Sequence, residues 1–302
     1  IFKKIDLSHE IVNFILLKTL PWIRLMRLDR PIGTLLLLWP MLWSMWLAGK
    51  GVPSIFNLFI FICGVLVMRT AGCVINDYAD RHVDGNVSRT KNRPIVSGEI
   101  EPREALGLLF VLLSLAFVLV LQTNALTIKL AFIGLVLTIF YPFVKRWSYF
   151  PQVFLGLAWA WVVPMSFAAE REVVPKEAGI LFLAVVSWTV VFDSFYAMVD
   201  REDDQIVGIK STVILWGERE LLFISLLQLL TLVLLIICGE LFDRNWIFIS
   251  GIFFTAIIFG RQLWLARERT PERCFEAFLS SQWVGAVIFG CLALDIWLYP
   301  FG

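Results

Sequence analysis

Apolar residues gather in runs of about twenty, and the runs follow one another almost without pause. They cover 31–49, 57–76, 105–122, 125–142, 151–169, 178–199, 218–239, 245–265 and 282–299. A helix needs about 20 apolar residues to cross a ~30 Å hydrocarbon core, and inside lipid only helices or closed barrels satisfy every backbone polar group. Nine such runs predict an all-α, polytopic membrane protein. Composition agrees: 59% of the 302 residues are hydrophobic and 17% charged, with a mean hydropathy of +0.80. Soluble domains sit near 45–50% and about 25%. The breaks Gln122–Asn124 and Phe143–Phe150 are so short that the runs they join must be antiparallel neighbours.

Residues 1–30 read differently from the nine-run domain 31–302. Ile11, Val12, Ile15 and Leu16 share one helical face, while Lys18, Arg24 and Arg27 punctuate the rest. That pattern predicts an amphipathic arm lying in the membrane interface, with a solvent-exposed tail as the alternative. No small-residue cleavage site follows the first apolar stretch, so no removable signal peptide is expected. Of the 26 lysines and arginines, twenty lie in the arm and the second, fourth, sixth and eighth connections. Five lie on the opposite side, and Arg69 is inside a run. The positive-inside bias therefore puts the N-terminus in the cytoplasm and the C-terminus in the periplasm. The basic residues form no continuous patch, so no nucleic-acid partner is expected. Five cysteines, four of them inside apolar runs, imply neither a disulfide framework nor a CxxC metal site, and two histidines are too few for a His-based centre.

The long second and sixth connections both emerge on the cytoplasmic side and hold the aspartates. In the first cluster, Asn76, Asp80 and Asp84 are spaced i, i+4, i+8 and would share one face of a continued helix. Oxygen ligands without imidazole or thiolate make a hard-cation site, which suits Mg²⁺ completed by water and phosphate oxygens. The second cluster, Asp200-Arg201-Glu202-Asp203-Asp204, repeats the four-residue spacing. Two such pairs on one side of the membrane read as a diphosphate-and-metal site rather than as solvated loop charges. Arg89, Lys91, Arg93 and Lys210 follow the clusters and supply phosphate contacts, although positive-inside bias alone explains some of them. Arg69 lies two turns before Asn76, and Asp193 two turns before Asp200, with Tyr196 between. They predict either a buried Arg69–Asp193 salt bridge or a polar cavity below the metals. Tyr141, Lys145 and Arg146 end the fourth run, as interface anchors or, for Arg146, as the holder of an aromatic carboxylate.

Asn76-Asp77-x-x-Asp80-Arg81-x-x-Asp84, Asp200-Arg201-Glu202-Asp203-Asp204 and Gly208-Ile209-Lys210-Ser211-Thr212 resemble the signature motifs of the UbiA superfamily of intramembrane prenyltransferases. Arg30-Pro31-Ile32-Gly33-Thr34, Ala71-Gly72-Cys73-Val74-Ile75, Arg93-Pro94-Ile95-Val96-Ser97-Gly98 and Tyr196-Ala197-Met198-Val199-Asp200 resemble its bacterial branch acting on 4-hydroxybenzoate in ubiquinone biosynthesis. The likeness runs from about Arg30 to Gly290. It implies nine helices around a central cavity capped by cytoplasmic loops, in the bacterial inner membrane. It also implies the chemistry. Mg²⁺ on Asn76, Asp80, Asp84, Asp200 and Asp204 would bind a polyprenyl diphosphate, and Arg146, or else Lys145, would orient 4-hydroxybenzoate for attack ortho to its hydroxyl. The long tail would leave between helices into the bilayer. Other aromatic acceptors stay open. A CDP-alcohol phosphotransferase fits poorly, because Arg81 follows Asp80 and the second cluster is over a hundred residues away. A transporter would place its ions at broken helices near the midplane, not at helix ends.

Overall fold

The structure is a computed structural model that describes residues 18–82, 84–86 and 90–301. A short helix α1 over 18–25 leads into α2 (Ile32–Ala48) and the long α3 (Ile55–Asp80). Next come α4 (Pro102–Val120), α5 (Ala125–Val144), α6 (Pro151–Ala160), α7 (Val162–Arg171) and α8 (Ala178–Val199). Two short helices, α9 (Arg201–Val207) and α10 (Thr212–Trp216), precede α11 (Glu220–Leu241), α12 (Trp246–Ala266) and α13 (Pro271–Leu298). Among the described residues there is no strand.

Counting α6–α7 and α10–α11 as continuous, eight helices are long and apolar enough to cross a membrane, and α2, with 17 residues, is a shorter apolar ninth. At 1.5 Å per residue α2 spans only about 26 Å. The chain is thus a multi-pass membrane protein, with the nine predicted runs all helical. Their edges differ where charge misled the count. α3 runs on to Asp80, because the polar end of that helix stands clear of the apolar stretch. α13 begins at Pro271, eleven residues before the predicted run, because Glu272, Arg273 and Glu276 make its first two turns polar. The run 151–169 is two helices meeting at Trp161.

Local signals set most starts. Asn124 accepts the Thr127 amide at 2.9 Å ahead of α5, and Glu104 reaches back to the Glu101 amide at 2.9 Å ahead of α4. Asp295 on α13, fully buried, caps α12 by accepting the Asn245 and Phe248 amides. Arg171 covers the end of α2 through the Leu47 and Ala48 carbonyls. The centre of the bundle is α8, two-thirds of whose apolar window is buried, against 6% for α4. Around it pack α6, α11 and α13. Lipid offers no hydrophobic drive between helices, so polar pairs matter there: Gln262 donates to Ser280 and Ser281 and accepts from Gln228, and Ser44 meets Ser166 at 2.8 Å.

The arm expected over 1–30 lies partly outside the described residues. Its end, 18–30, sits on the α3–α4 corner: Leu25 is fully buried against Val74, Ile95, Ile100 and Ala105. Arg24 pairs with Glu99 and Arg27 with Asp77.

Candidate active site

The helix carrying the first cluster stops sooner than its spacing implies. α3 ends at Asp80, and Asp84 opens a separate 3₁₀ turn over Asp84–Asn86 whose carbonyl accepts from Thr90 Oγ1 at 2.8 Å. Asp84 still returns to the same place. Asn76, Asp77, Asp80 and Asp84 all line one cavity of about 290 Å³, together with Asp193, Asp200 and Asp204 from the other side. On that side α8 breaks at Asp200, and α9 carries Asp204 to the cavity wall. Gly208 ends α9 in a left-handed conformation (φ +78°), and the Ile209 amide caps Asp204. Ser211 then caps α10, and the Thr212 amide donates to Gln152, which fixes the far wall.

The three carboxylates of the first cluster are 1%, 2% and 5% exposed, and each has a cation. Lys145 Nζ lies 2.5 Å from Asp80, Arg93 Nη1 lies 2.5 Å from Asp84 and 3.0 Å from Asp77, and Arg27 donates to Asp77 at 2.8 Å. Burial pushes the Asp84 carboxyl above its ordinary value, against the pull of Arg93. Burial works against the Arg27 charge, but Asp77, with Cys73 and Tyr196, outweighs it and raises that guanidinium.

The donor set fits a hard divalent cation. Asp80 Oδ1 is buried without a hydrogen-bond partner among the described residues, so the first cluster holds an unused oxygen ligand. No three carboxylate, imidazole or thiolate groups among the described residues converge closely enough to hold a metal by themselves. An open site of that kind suits a cation whose shell is completed by substrate oxygens.

Arg93, Lys145, Lys210, Tyr141 and Arg69 line the cavity, as the sequence suggested. Lys91 is exposed and does not. Arg146 does not either: its guanidinium donates to the Ala79 carbonyl at 2.6 Å and lies over Phe143, so it braces the end of α3 from outside. Arg89 lies outside the described residues. Sequence reasoning missed Asp77, Arg27 and Arg30 as cavity residues. Asp77 stood beside Asn76 but off the i, i+4 face, and the two arginines looked like part of an interfacial arm.

Arg69 forms no ion pair with Asp193 among the described residues; both face the cavity. Its guanidinium lies 5.9 Å from the Trp159 ring, and Trp159 Nε1 is buried with no hydrogen-bond partner. At this point the chemistry changes. Arg69, Tyr141, Leu155 and Trp159 also line an adjoining apolar groove of about 230 Å³ between α3, α4, α5 and α6–α7. On the opposite wall Tyr196, Phe275 and Phe278 form an aromatic cluster, with Tyr196 and Phe278 centroids 4.9 Å apart.

The sequence model of the UbiA prenyltransferase family matches residues 37–285. A protein of Ectopseudomonas mendocina named 4-hydroxybenzoate octaprenyltransferase is 53% identical over 274 residues, 91% of this chain and 93% of that protein. Namesakes from Pseudomonas aeruginosa and Hahella chejuensis are 52% and 50% identical, over 89% and 92% of this chain and 90% and 93% of their own lengths. Among solved structures, the apo form of a UbiA homolog from Aeropyrum pernix K1 superposes with a TM-score of 0.77 at 22% identity, covering 89% of this chain and 98% of its own. A UbiA homolog from Archaeoglobus fulgidus bound to GPP and Mg²⁺ gives 0.70 at 20% identity, over 90% and 99%.

Proposed function

The chain belongs to the UbiA prenyltransferase family, and we propose that it is a Mg²⁺-dependent enzyme that joins a polyprenyl group to the ring of 4-hydroxybenzoate, ortho to the hydroxyl, in ubiquinone biosynthesis. One observation carries this reading beyond the names of its relatives: a cavity of carboxylates and cations opens directly into an apolar groove, with Arg69, Tyr141 and Trp159 at the junction. A charged head, an aromatic acid and a hydrocarbon tail each find a matching wall.

Asn76, Asp80 and Asp84 on one side, and Asp200 and Asp204 on the other, would hold the cation. When bound with the donor, Mg²⁺ neutralises charge on the departing diphosphate. Arg93, Lys145 and Lys210 take the remaining phosphate oxygens, Arg93 in the bidentate manner open to a guanidinium. Breaking the allylic C–O bond leaves a cationic carbon, and the faces of Tyr196 and Phe278 favour positive charge beside them. The apolar groove receives the first units of the tail and keeps water from the cation. Arg69, paired with no carboxylate among the described residues, grips the acceptor carboxylate, with the Trp159 indole N–H as a second donor. In this assignment Arg69 replaces Arg146, which braces α3. The site faces the cytoplasm of a bacterial inner membrane, with the C-terminus in the periplasm, on the ground of the Lys/Arg asymmetry.

The test is prenylation by membranes containing the protein, with polyprenyl diphosphate and Mg²⁺, offering 4-hydroxybenzoate against a naphthoate acceptor. The expected product forms only from 4-hydroxybenzoate and disappears with chelation. In the same assay Arg69→Ala should raise the apparent KM for the aromatic acid far more than for the diphosphate, and Arg146→Ala should spare it. Preference for the naphthoate would overturn the acceptor; the reverse pattern for the two arginines would return Arg146 to the site.

A further inference from the structure

The first cluster contains a carboxylate for which the metal reading has no use. Asp77 is 1% exposed, and its Oδ1 meets two guanidiniums, Arg27 at 2.8 Å and Arg93 at 3.0 Å. Its Oδ2 is buried and unpartnered. The same Nη1 of Arg93 that meets Asp77 also meets Asp84 at 2.5 Å. One guanidinium nitrogen is therefore shared between a carboxylate expected to bind the cation and one that is not. Lys145 stands on Asp80 without such a second anchor.

The sharing creates a competition. A cation arriving at Asp84 must displace Arg93, and a diphosphate arriving in the cavity needs Arg93 free. A guanidinium cut off from every carboxylate in a buried site would be costly to expose to an empty cavity. Asp77 removes that cost, because Arg93 can leave Asp84 and remain paired. Arg27, anchored from the 18–30 segment, keeps Asp77 from following it.

We propose that Asp77 is a positioning residue: it is the fixed pivot on which Arg93 swings from Asp84 to the diphosphate as cation and donor enter together. The proposal rests on the prenyl-diphosphate reading above. It implies that cation and diphosphate bind with strong mutual dependence, and that this dependence runs through Asp77 only by way of Arg93.

The experiment is calorimetric binding of farnesyl thiodiphosphate, an unreactive donor analogue, to the purified full chain in detergent at a series of Mg²⁺ concentrations. Asp77→Asn leaves Arg93 wholly on Asp84, so the Mg²⁺ needed for half-saturation should rise about tenfold, within the range of coupled neighbouring groups. Affinity for 4-hydroxybenzoate alone should stay within about twofold of wild type, an outcome that a general loosening of the fold would not give. In an Arg93→Gln background, adding Asp77→Asn should change the Mg²⁺ midpoint by less than twofold. Independent, additive effects of the two substitutions, or an unchanged midpoint in Asp77→Asn, would overturn the pivot. If Asp77→Asn does not accumulate as folded protein, Arg27→Gln tests the same pivot, because it removes the anchor that holds Asp77 in place. An unchanged midpoint there would also overturn it. If wild type binds no thiodiphosphate at any Mg²⁺ concentration, the donor reading itself fails and the pivot with it.

Discussion

The two acidic clusters share a four-residue spacing and little else. The first crowns the long α3, its aspartates buried and each matched to a cation held by another element. The second straddles the break between α8 and the seven-residue α9, which has no fully buried residue. It is tied down at its edges. The Lys210 amide donates to the Lys145 carbonyl, and Arg201 approaches the buried Glu220, which also accepts from Arg269 at 2.6 Å. Segments with few buried contacts open at low free-energy cost, whereas buried, compensated charges are set when the protein folds. One half of this site is thus buried and charge-compensated within the fold, and the other is set on a more open helix.

The strongest test of that contrast is to remove one carboxylate from each half. Asp80→Ala and Asp204→Ala should each lower turnover by at least about 10²–10³-fold, as expected for losing a charge-stabilising contact. Asp80→Ala should also lower the thermal midpoint in detergent, and by more than Asp204→Ala, because it strands the ammonium of Lys145 beside a more deeply buried position. Equal melting losses in both variants would show that the second cluster is as deeply integrated as the first.

Next in size is the turn that ends α9, four residues beyond Asp204. Gly208 holds φ +78°, where a Cβ costs about 1–2 kcal/mol. Gly208→Ala should therefore raise the KM for the prenyl diphosphate severalfold through Asp204, leaving the KM for the aromatic acid alone. Gly98 has the same φ in the turn before α4, so Gly98→Ala is the control: a similar stability loss with no change in donor KM. If both glycines act alike, the effect is strain and not the placement of α9.

A smaller effect separates the clusters by pH. Burial raises Asp84 above the ordinary carboxylate value, so it takes up a proton at a higher pH than an exposed aspartate would. A cation needs the ionised form. The Mg²⁺ concentration for half-maximal activity should thus climb as pH falls toward that raised value and level off above it. In the empty protein the sign is opposite: ionising a carboxyl whose folded value is raised costs stability as pH rises, and bound cation offsets the cost. Measuring the Mg²⁺ midpoint across pH in wild type and Asp84→Asn checks this; a climb of the same steepness in the variant would assign it elsewhere.

How much of this was legible in the sequence follows the same division. The spans were plain because lipid imposes length and polarity on every one of them, and the aspartates were plain because acidic spacing at helix ends has few other uses. What periodicity could not show was where α3 stops: extending the helix put Asp84 on the face of Asn76 and left Asp77 on another. The chain breaks before the 3₁₀ turn yet returns Asp84 to the cavity, and Asp77 enters it too, paired with Arg27 and Arg93 from chain that folds back from either direction. Arg146 lies outside the cavity for a similar reason. Next to Lys145 in sequence, it points the opposite way at the end of α5, so one of the pair enters the cavity and the other finds a backbone carbonyl.

The smallest expected effect probes the junction of cavity and groove. Gly33 on α2 faces Arg69 so closely that a Cβ there would overlap the guanidinium. The neighbour is the far end of a long side chain rather than backbone, so α2 and α3 need not separate; the guanidinium alone has to move. Moving it shifts the group assigned to the acceptor carboxylate relative to Trp159. Gly33→Ala also improves the helix propensity of α2 by up to about 1 kcal/mol, which offsets the crowding. The variant should fold and melt within a few degrees of wild type, keep its KM for the prenyl diphosphate, and show a several-fold higher KM for 4-hydroxybenzoate. Steady-state kinetics with each substrate varied in turn reads all three. A changed donor KM with an unchanged acceptor KM would put Arg69 on the diphosphate side and make the junction part of the charged half of the site.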